Sequence, residues 1–227
     1  DQCAYCRDYP IEELFARLSQ PVKEAVRVTH HDRELVLLTY ICDEDWNYRV
    51  IENMPRDVTL AACYSQLKTL ERGGIKLVTD DYSLCSSEPS DYFLRVKALA
   101  NQKGLRFLAK TEDTFGQEFV STPFTPCLEQ HQRRWDSLER EQVGGFLSQY
   151  LHVGFAPTPC QDLMRRNVSE VFENGALRVV TSAERLRTAA VLSFGAAGAQ
   201  LALKAWEAFS VAIREYFPYT RGVCRYP

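Results

Sequence analysis

The chain has 227 residues, of which 45% are hydrophobic and 25% charged, enough to bury the core of one large domain or two smaller ones. A fibre, a disordered tail and a peptide scaffold are thereby excluded. Its net charge is −3 with an isoelectric point near 5.9, so any nucleic-acid contact has to rest on a local basic patch. The longest stretch without a formal charge, residues 188–203, covers sixteen positions and still includes Thr188, Ser193 and Gln200. A membrane span wants about twenty apolar residues, and none is expected.

After Pro10, the residues Ile11, Leu14, Phe15, Leu18, Val22 and Val26 recur at spacings of three and four, which predicts a helix with one apolar stripe, interrupted at Pro21. The near-continuous apolar run 35–41 predicts a strand buried on both faces, and Asp43, Glu44 and Asp45 follow it. Pro55, Arg56 and Asp57 then open a helical pattern over 58–72, closed by Gly73 and Gly74. A second strand over 75–79 ends in Asp80 and Asp81, a helix covers 91–102, and a third strand over 105–109 is trailed by Lys110, Glu112 and Asp113. Strands and helices alternating with short connections predict an α/β fold over residues 1–122: a three-layer, Rossmann-like parallel sheet with right-handed crossovers.

Pro123 and Pro126 mark a linker, beyond which residues 123–227 read as a mostly helical region, a separate domain or a wrap around the sheet. Its elements are a charged helix over 128–150 kinked at Gly144 and Gly145, a helix over 161–173 stopped by Asn174 and Gly175, and a short strand over 176–180. A long helix over 182–217 follows, with a small-residue segment, 195–199, where backbones can approach closely.

In open parallel sheets, ligands bind beyond the carboxyl ends of the strands. Asp43 and Asp45 follow the first predicted strand, Asp80 and Asp81 the second, and Asp57 begins the helix between them. Carboxylates gathered in one crevice repel each other unless a cation neutralises them, and hard oxygen ligands favour Mg²⁺ or Mn²⁺. Such a metal activates water against a phosphodiester. The same acids serve equally well as helix caps and solvated loop charges. Arg133 and Arg134 beside Trp135 are candidates for phosphate contact and base stacking, or for a solvated helix face. His30, His31 and Asp32 read as a polar turn before the first strand.

No phosphate-binding loop, dinucleotide fingerprint or nucleophile elbow is present, which removes most P-loop kinases, classical dehydrogenases and serine hydrolases. Of the eight cysteines only Cys3 and Cys6 form a close pair, so the irregular set suits free thiols in a reduced, intracellular protein. The sequon Asn167-Val168-Ser169 keeps a secreted, disulfide-bonded chain as the alternative.

The stretch 53–111 resembles the second half of a PIN-like nuclease domain. In that family an acid opens a helix, the next strand ends in Thr/Ser-Asn/Asp-Asp, and a further helix and a short strand after glycine follow. The matching residues are Asp57, then Ile75-Lys76-Leu77-Val78-Thr79-Asp80-Asp81, then Val96-Lys97-Ala98 and Gly104-Leu105. The resemblance implies a nuclease on single-stranded RNA, with Asp80 and Asp81 catalytic and Asp57, Asp80 and Asp81 holding Mg²⁺ or Mn²⁺. Asp43 or Asp45 would supply the remaining acid. The competing expectation is a non-catalytic α/β interaction protein, secreted or viral, that binds a protein partner through its helical C-terminal half.

Overall fold

The computed structural model describes residues 6–30, 33–40, 44–79, 83–112, 125–149 and 170–216, together with Pro159 and Leu163. The chain separates into two compact units, each assembled from three stretches of sequence. The first comprises Asp1–Tyr64, Asp91–Lys110 and Val143–Leu147; the second comprises Ser65–Ser90, Thr111–Gln142 and Ser148–Pro227.

The first unit is α/β, as the sequence predicts. After a 3-10 turn at Cys6–Asp8 come α1 (Ile11–Thr29), β1 (Val36–Thr39), α2 (Glu44–Asn53), β2 (Thr59–Cys63), α3 (Asp91–Lys103), β5 (Arg106–Glu112) and β6 (Phe146–Gln149). These strands form one sheet in the order β1-β2-β5-β6. β1 and β2 run parallel with Val36 opposite Thr59, and β2 and β5 run parallel with Thr59 opposite Arg106.

The helix predicted over 58–72 is corrected: its first part is the central strand β2, every residue of which is buried. A short apolar run covered on both faces loses the alternation that marks a strand, so its spacing imitates a buried helix. The crossover from β1 is instead α2, whose first turn contains Glu44 and Asp45. Around β2 the core is aromatic, with the Phe93 ring 5.6 Å from that of Tyr64 and 5.1 Å from that of Phe107.

α1 runs unbroken through Pro21, contrary to the predicted interruption. Pro21 and Arg17 are both exposed, so the carbonyl that Pro21 leaves without its helical donor faces water. The buried face is also rotated from the predicted stripe. Ser19 and Lys23 are buried, while Leu18 and Val22 are exposed.

β6 replaces the end of the helix predicted over 128–150. Gly144 donates to the Phe107 carbonyl at 3.2 Å, and Ala109 donates to the Gly145 carbonyl at 3.0 Å. A Cβ at Gly144 would stand 3.1 Å from that Phe107 oxygen, which explains the glycine at this close approach.

Among the described residues, the second unit contains two antiparallel hairpins and two long helices. β3 (Thr69–Arg72) pairs with β4 (Ile75–Val78), and β7 (Glu170–Glu173) pairs with β8 (Ala176–Val179). The strand predicted at 75–79 as part of the parallel sheet is thus one arm of a hairpin. The helix predicted over 161–173 is corrected at its end: Leu163 is helical, but 170–173 is strand β7. Both hairpins turn on two residues with positive φ, Gly73 and Gly74 at 55° and 79°, Asn174 and Gly175 at 52° and 82°. That is the type I′ geometry that matches the twist of paired strands.

α4 (Leu128–Arg140) packs against α5 (Ser182–Val211), which continues into a π-helical turn at Ala212–Tyr216. A capping box starts α5: Thr181 Oγ1 accepts from the Glu184 amide at 3.2 Å, and the Thr181 amide donates to Glu184 Oε2 at 2.9 Å. The predicted long helix is therefore present, but it is not a straight rod. Gly195 has φ 70° and ψ 169°, and the Phe194 and Trp206 rings approach to 6.0 Å. Twelve residues of uninterrupted helix would separate them by about 18 Å along the axis, so the helix bends sharply at Gly195.

Candidate functional site

Asp57 precedes β2, at the amino end of the sheet, and its carboxylate bonds Lys23 and, at 2.7 Å, Arg27. The hydrogen bond from Lys23 holds its pKa below the ordinary carboxylate value, with the charges of Lys23 and Arg27 acting in the same direction. Asp45 lies beyond the carboxyl end of β1, exposed on the first turn of α2, where its charge favours the helix dipole. Because β1 and β2 are parallel and in register, a strand length of about 10–13 Å separates the ends on which the two acids stand. Ligands of one metal lie within about 4 Å of each other.

The described members of the predicted ligand set therefore do not fit a Mg²⁺ or Mn²⁺ site. Asp57 is an ion-pair partner of α1, and Asp45 and Asp57 are not brought together. Asp43, Asp80 and Asp81 lie outside the described residues, as do His31 and Asp32. Among the described residues no group of three or more His, Cys, Asp or Glu side chains gathers as a metal centre.

Other chemistry occupies the carboxyl end of the sheet. Lys110 is buried, with its ammonium 5.2 Å from the centre of the Tyr40 ring. Thr39 Oγ1 donates to the Ala61 carbonyl at 3.3 Å, and the Cys63 thiol is 3.7 Å from the Thr39 carbonyl. Glu44 accepts from the Tyr48 hydroxyl and pairs with Arg95 at 2.5 Å. Burial, and then the bond to Glu44, push the Tyr48 hydroxyl pKa up. These contacts join α2 to α3 and the strand ends to one another.

The predicted nucleic-acid residues lie on α4, and the structure removes two of the three from solvent. Arg134 is 1% exposed and Trp135 3%, so neither offers a surface to phosphate or base. Arg133 is exposed, but its guanidinium forms a two-nitrogen contact with Glu129 at 2.7 and 3.0 Å, one turn away. Spacing alone gives no warning, because α4 buries polar positions over most of its circumference, including Gln130, His131, Gln132 and Ser137, and leaves the stripe of Glu129, Arg133, Asp136 and Arg140 towards solvent.

Two features of α4 had no signal in the sequence reading. The Cys127 thiol lies 3.6 Å from His131 Nε2, and the His131 ring stacks on Trp135. The pair is enclosed, with Cys127 in an apolar cluster with Leu70, Leu84, Cys85 and Ile213, so it has the surroundings of a structural contact rather than of an accessible nucleophile. Asp136 accepts from Gln132 at 2.7 Å and from Ser182 at 2.8 Å, joining α4 to the start of α5. Cys63, Cys85 and Cys127 are free and buried.

The largest departure from an ordinary folded surface is α5. One face packs inward through Arg185, Ala189, Ala190, Ala199, Trp206 and Ser210. Elsewhere Leu192 and Phe194 are 53% exposed, Leu201 72% and Phe209 48%. By length and composition, the helix through Glu215 is apolar enough to cross a membrane: its best eighteen-residue window has a mean hydropathy of 1.3, with 17% buried. The uncharged run 188–203 is two residues shorter than such a window, so counting charge-free positions passed over it. The bend at Gly195 divides the helix through Glu215 into arms of about 20 and 30 Å, of which only the second approaches the ~30 Å that one straight crossing of the hydrocarbon requires.

No family model, curated protein or solved structure matches this chain.

Proposed function

We propose that the protein is a non-catalytic α/β interaction protein whose binding surface is the exposed side of α5. The observation that carries this reading is the apolar exposure of α5: four large side chains, each about half exposed or more, on a helix whose opposite side is already committed to α4. Folded monomers seldom leave so many large apolar side chains of one helix in water unless something covers them. The capping box and the Ser182–Asp136–Gln132 links fix the start of this helix, so the surface is held in place before a partner arrives.

The nuclease reading has less support, since Asp57 is engaged by Lys23 and Arg27 and two of the three expected RNA contacts are buried. One experiment separates the two readings. A photo-cross-linking amino acid placed at Ala205, exposed on α5, should give a defined protein adduct that disappears in Leu201→Glu, while single-stranded RNA with Mn²⁺ remains intact. Mn²⁺-dependent RNA cleavage that is lost in Asp80→Asn would overturn the interaction reading in favour of the nuclease.

A further inference from the structure

We infer that the elbow of α5 around Gly195 inserts into one leaflet of an anionic phospholipid bilayer, with Arg187 and Lys204 at the level of the lipid phosphates. The inference goes beyond the interaction reading above: it concerns residues 188–203 and leaves the part of α5 beyond Lys204 to a protein partner.

Sequence and backbone coincide at this elbow. The uncharged run 188–203 extends seven residues before Gly195 and eight beyond it, so its middle is the bend itself. The protein covers little of it. Leu192 and Phe194 stand exposed on the first arm and Leu201 on the second, and Gly195, Ala196 and Ala197 are exposed at the turn between them. Because the arms diverge, a flat protein surface that covered one set of these side chains would leave the other in water. A leaflet has no such restriction, since fluid acyl chains surround an inserted element on every exposed side. Of the three polar residues in the run, Thr188 and Ser193 can return their hydroxyls to helical carbonyls one turn back, which leaves Gln200 as the one side-chain amide for the leaflet to accommodate.

Charge is ordered the same way on both arms. Going outward from Gly195, the first charged residues are Arg187, eight positions before it, and Lys204, nine positions after it. Both are exposed, and among the described residues neither has an ion-pair partner. The nearest acids, Glu184 and Glu207, each lie three positions further out. At 1.5 Å per residue the two cations stand about 12 and 14 Å along their arms from the bend. The hydrocarbon of one leaflet is about 15 Å deep. An elbow buried to that depth sets a cation against the phosphates on each arm and keeps both carboxylates in water. The long side chains of Arg187 and Lys204 reach the phosphates even when the arms are tilted.

The test is flotation of the full chain with phospholipid vesicles, with circular dichroism to verify folding. Wild type should float with phosphatidylcholine–phosphatidylserine vesicles and roughly tenfold more weakly with phosphatidylcholine alone, since each basic residue near an anionic surface strengthens binding about fivefold. Arg187→Gln/Lys204→Gln should lose that preference. Leu192→Glu and Ala196→Glu each place a charge in the run at an exposed position, so both should fold and both should bind roughly tenfold or more weakly. A photo-cross-linking amino acid at Ala196 should attach to lipid. A wild type that does not float overturns insertion, and so does binding that survives both glutamate variants, which is adsorption at the surface. A preference for anionic lipid that the double variant keeps overturns the placement of the two cations. No flotation together with a protein adduct from Ala205 refutes insertion alone, while flotation without that adduct refutes the interaction reading and leaves insertion standing.

Discussion

Lowering the pH should destabilise the protein through His131. The side chain is 1% exposed on α4, with Nε2 3.6 Å from the Cys127 thiol. Burial, reinforced by the neighbouring Arg134 charge, lowers its pKa from 6.5 to about 3. The folded chain thus refuses a proton that the unfolded chain accepts near its ordinary value. The resulting stability is fully present above that unfolded value and is lost progressively as pH falls from about 6.5 towards 3. At about 1.4 kcal/mol per pH unit in this window, going from pH 7 to pH 5 costs roughly 2 kcal/mol. For a chain of this size that corresponds to a Tm lower by about 4–8 °C. Urea and thermal unfolding of wild type and His131→Gln at pH 7, 6 and 5 measure the effect. The variant starts less stable, having lost the ring's packing on Trp135, but its stability should fall with pH less steeply, by that amount. Parallel slopes for the two proteins would refute the argument, because the proton would then not be His131's.

Two further predictions concern the first unit. Phe93→Ala removes a fully buried ring packed on Tyr64 and Phe107, and chemical denaturation should show a loss of about 3–5 kcal/mol. Asp57→Asn leaves the buried Lys23 without its carboxylate and should lower Tm at neutral pH. Because the Asp57 pKa is depressed in the folded state, its contribution is present above the ordinary value of 3.8 and vanishes as pH falls through the lowered one. Melting curves of the two proteins should therefore converge at low pH.

The sequence made the α/β class legible through the apolar runs at β1 and β5 and the α3 pattern between them. It misplaced the middle strand. Val58, Leu60, Ala61 and Tyr64 satisfy a helical spacing because β2 is covered on both faces, and nothing local distinguishes the two cases. The hairpins carried a clearer signal. Gly73-Gly74 and Asn174-Gly175 were read as helix stops, a role that also calls for a positive φ. Two such residues in succession between four-residue segments that mix apolar and charged positions point instead to a type I′ turn. The expected site was less legible because acid spacing carries no information about which end of a sheet each acid occupies. Once β2 replaced the predicted helix, Asp57 fell at the opposite end from Asp45. Trp135 and Arg134 misled for a related reason: a polar helix is normally solvated, and α4 is buried over most of its circumference.

The interleaving of the two units has a consequence for synthesis on the ribosome. β5 is complete once Glu112 has emerged, but β6, which covers its outer edge, lies beyond the whole of α4. At typical elongation rates of about 5–20 residues per second, β5 waits roughly 2–7 s with a row of unpaired amides and carbonyls open to any extended chain nearby. During that interval the nascent protein is most exposed to mispairing with its neighbours on the same message, and slowing translation after β5 would prolong it.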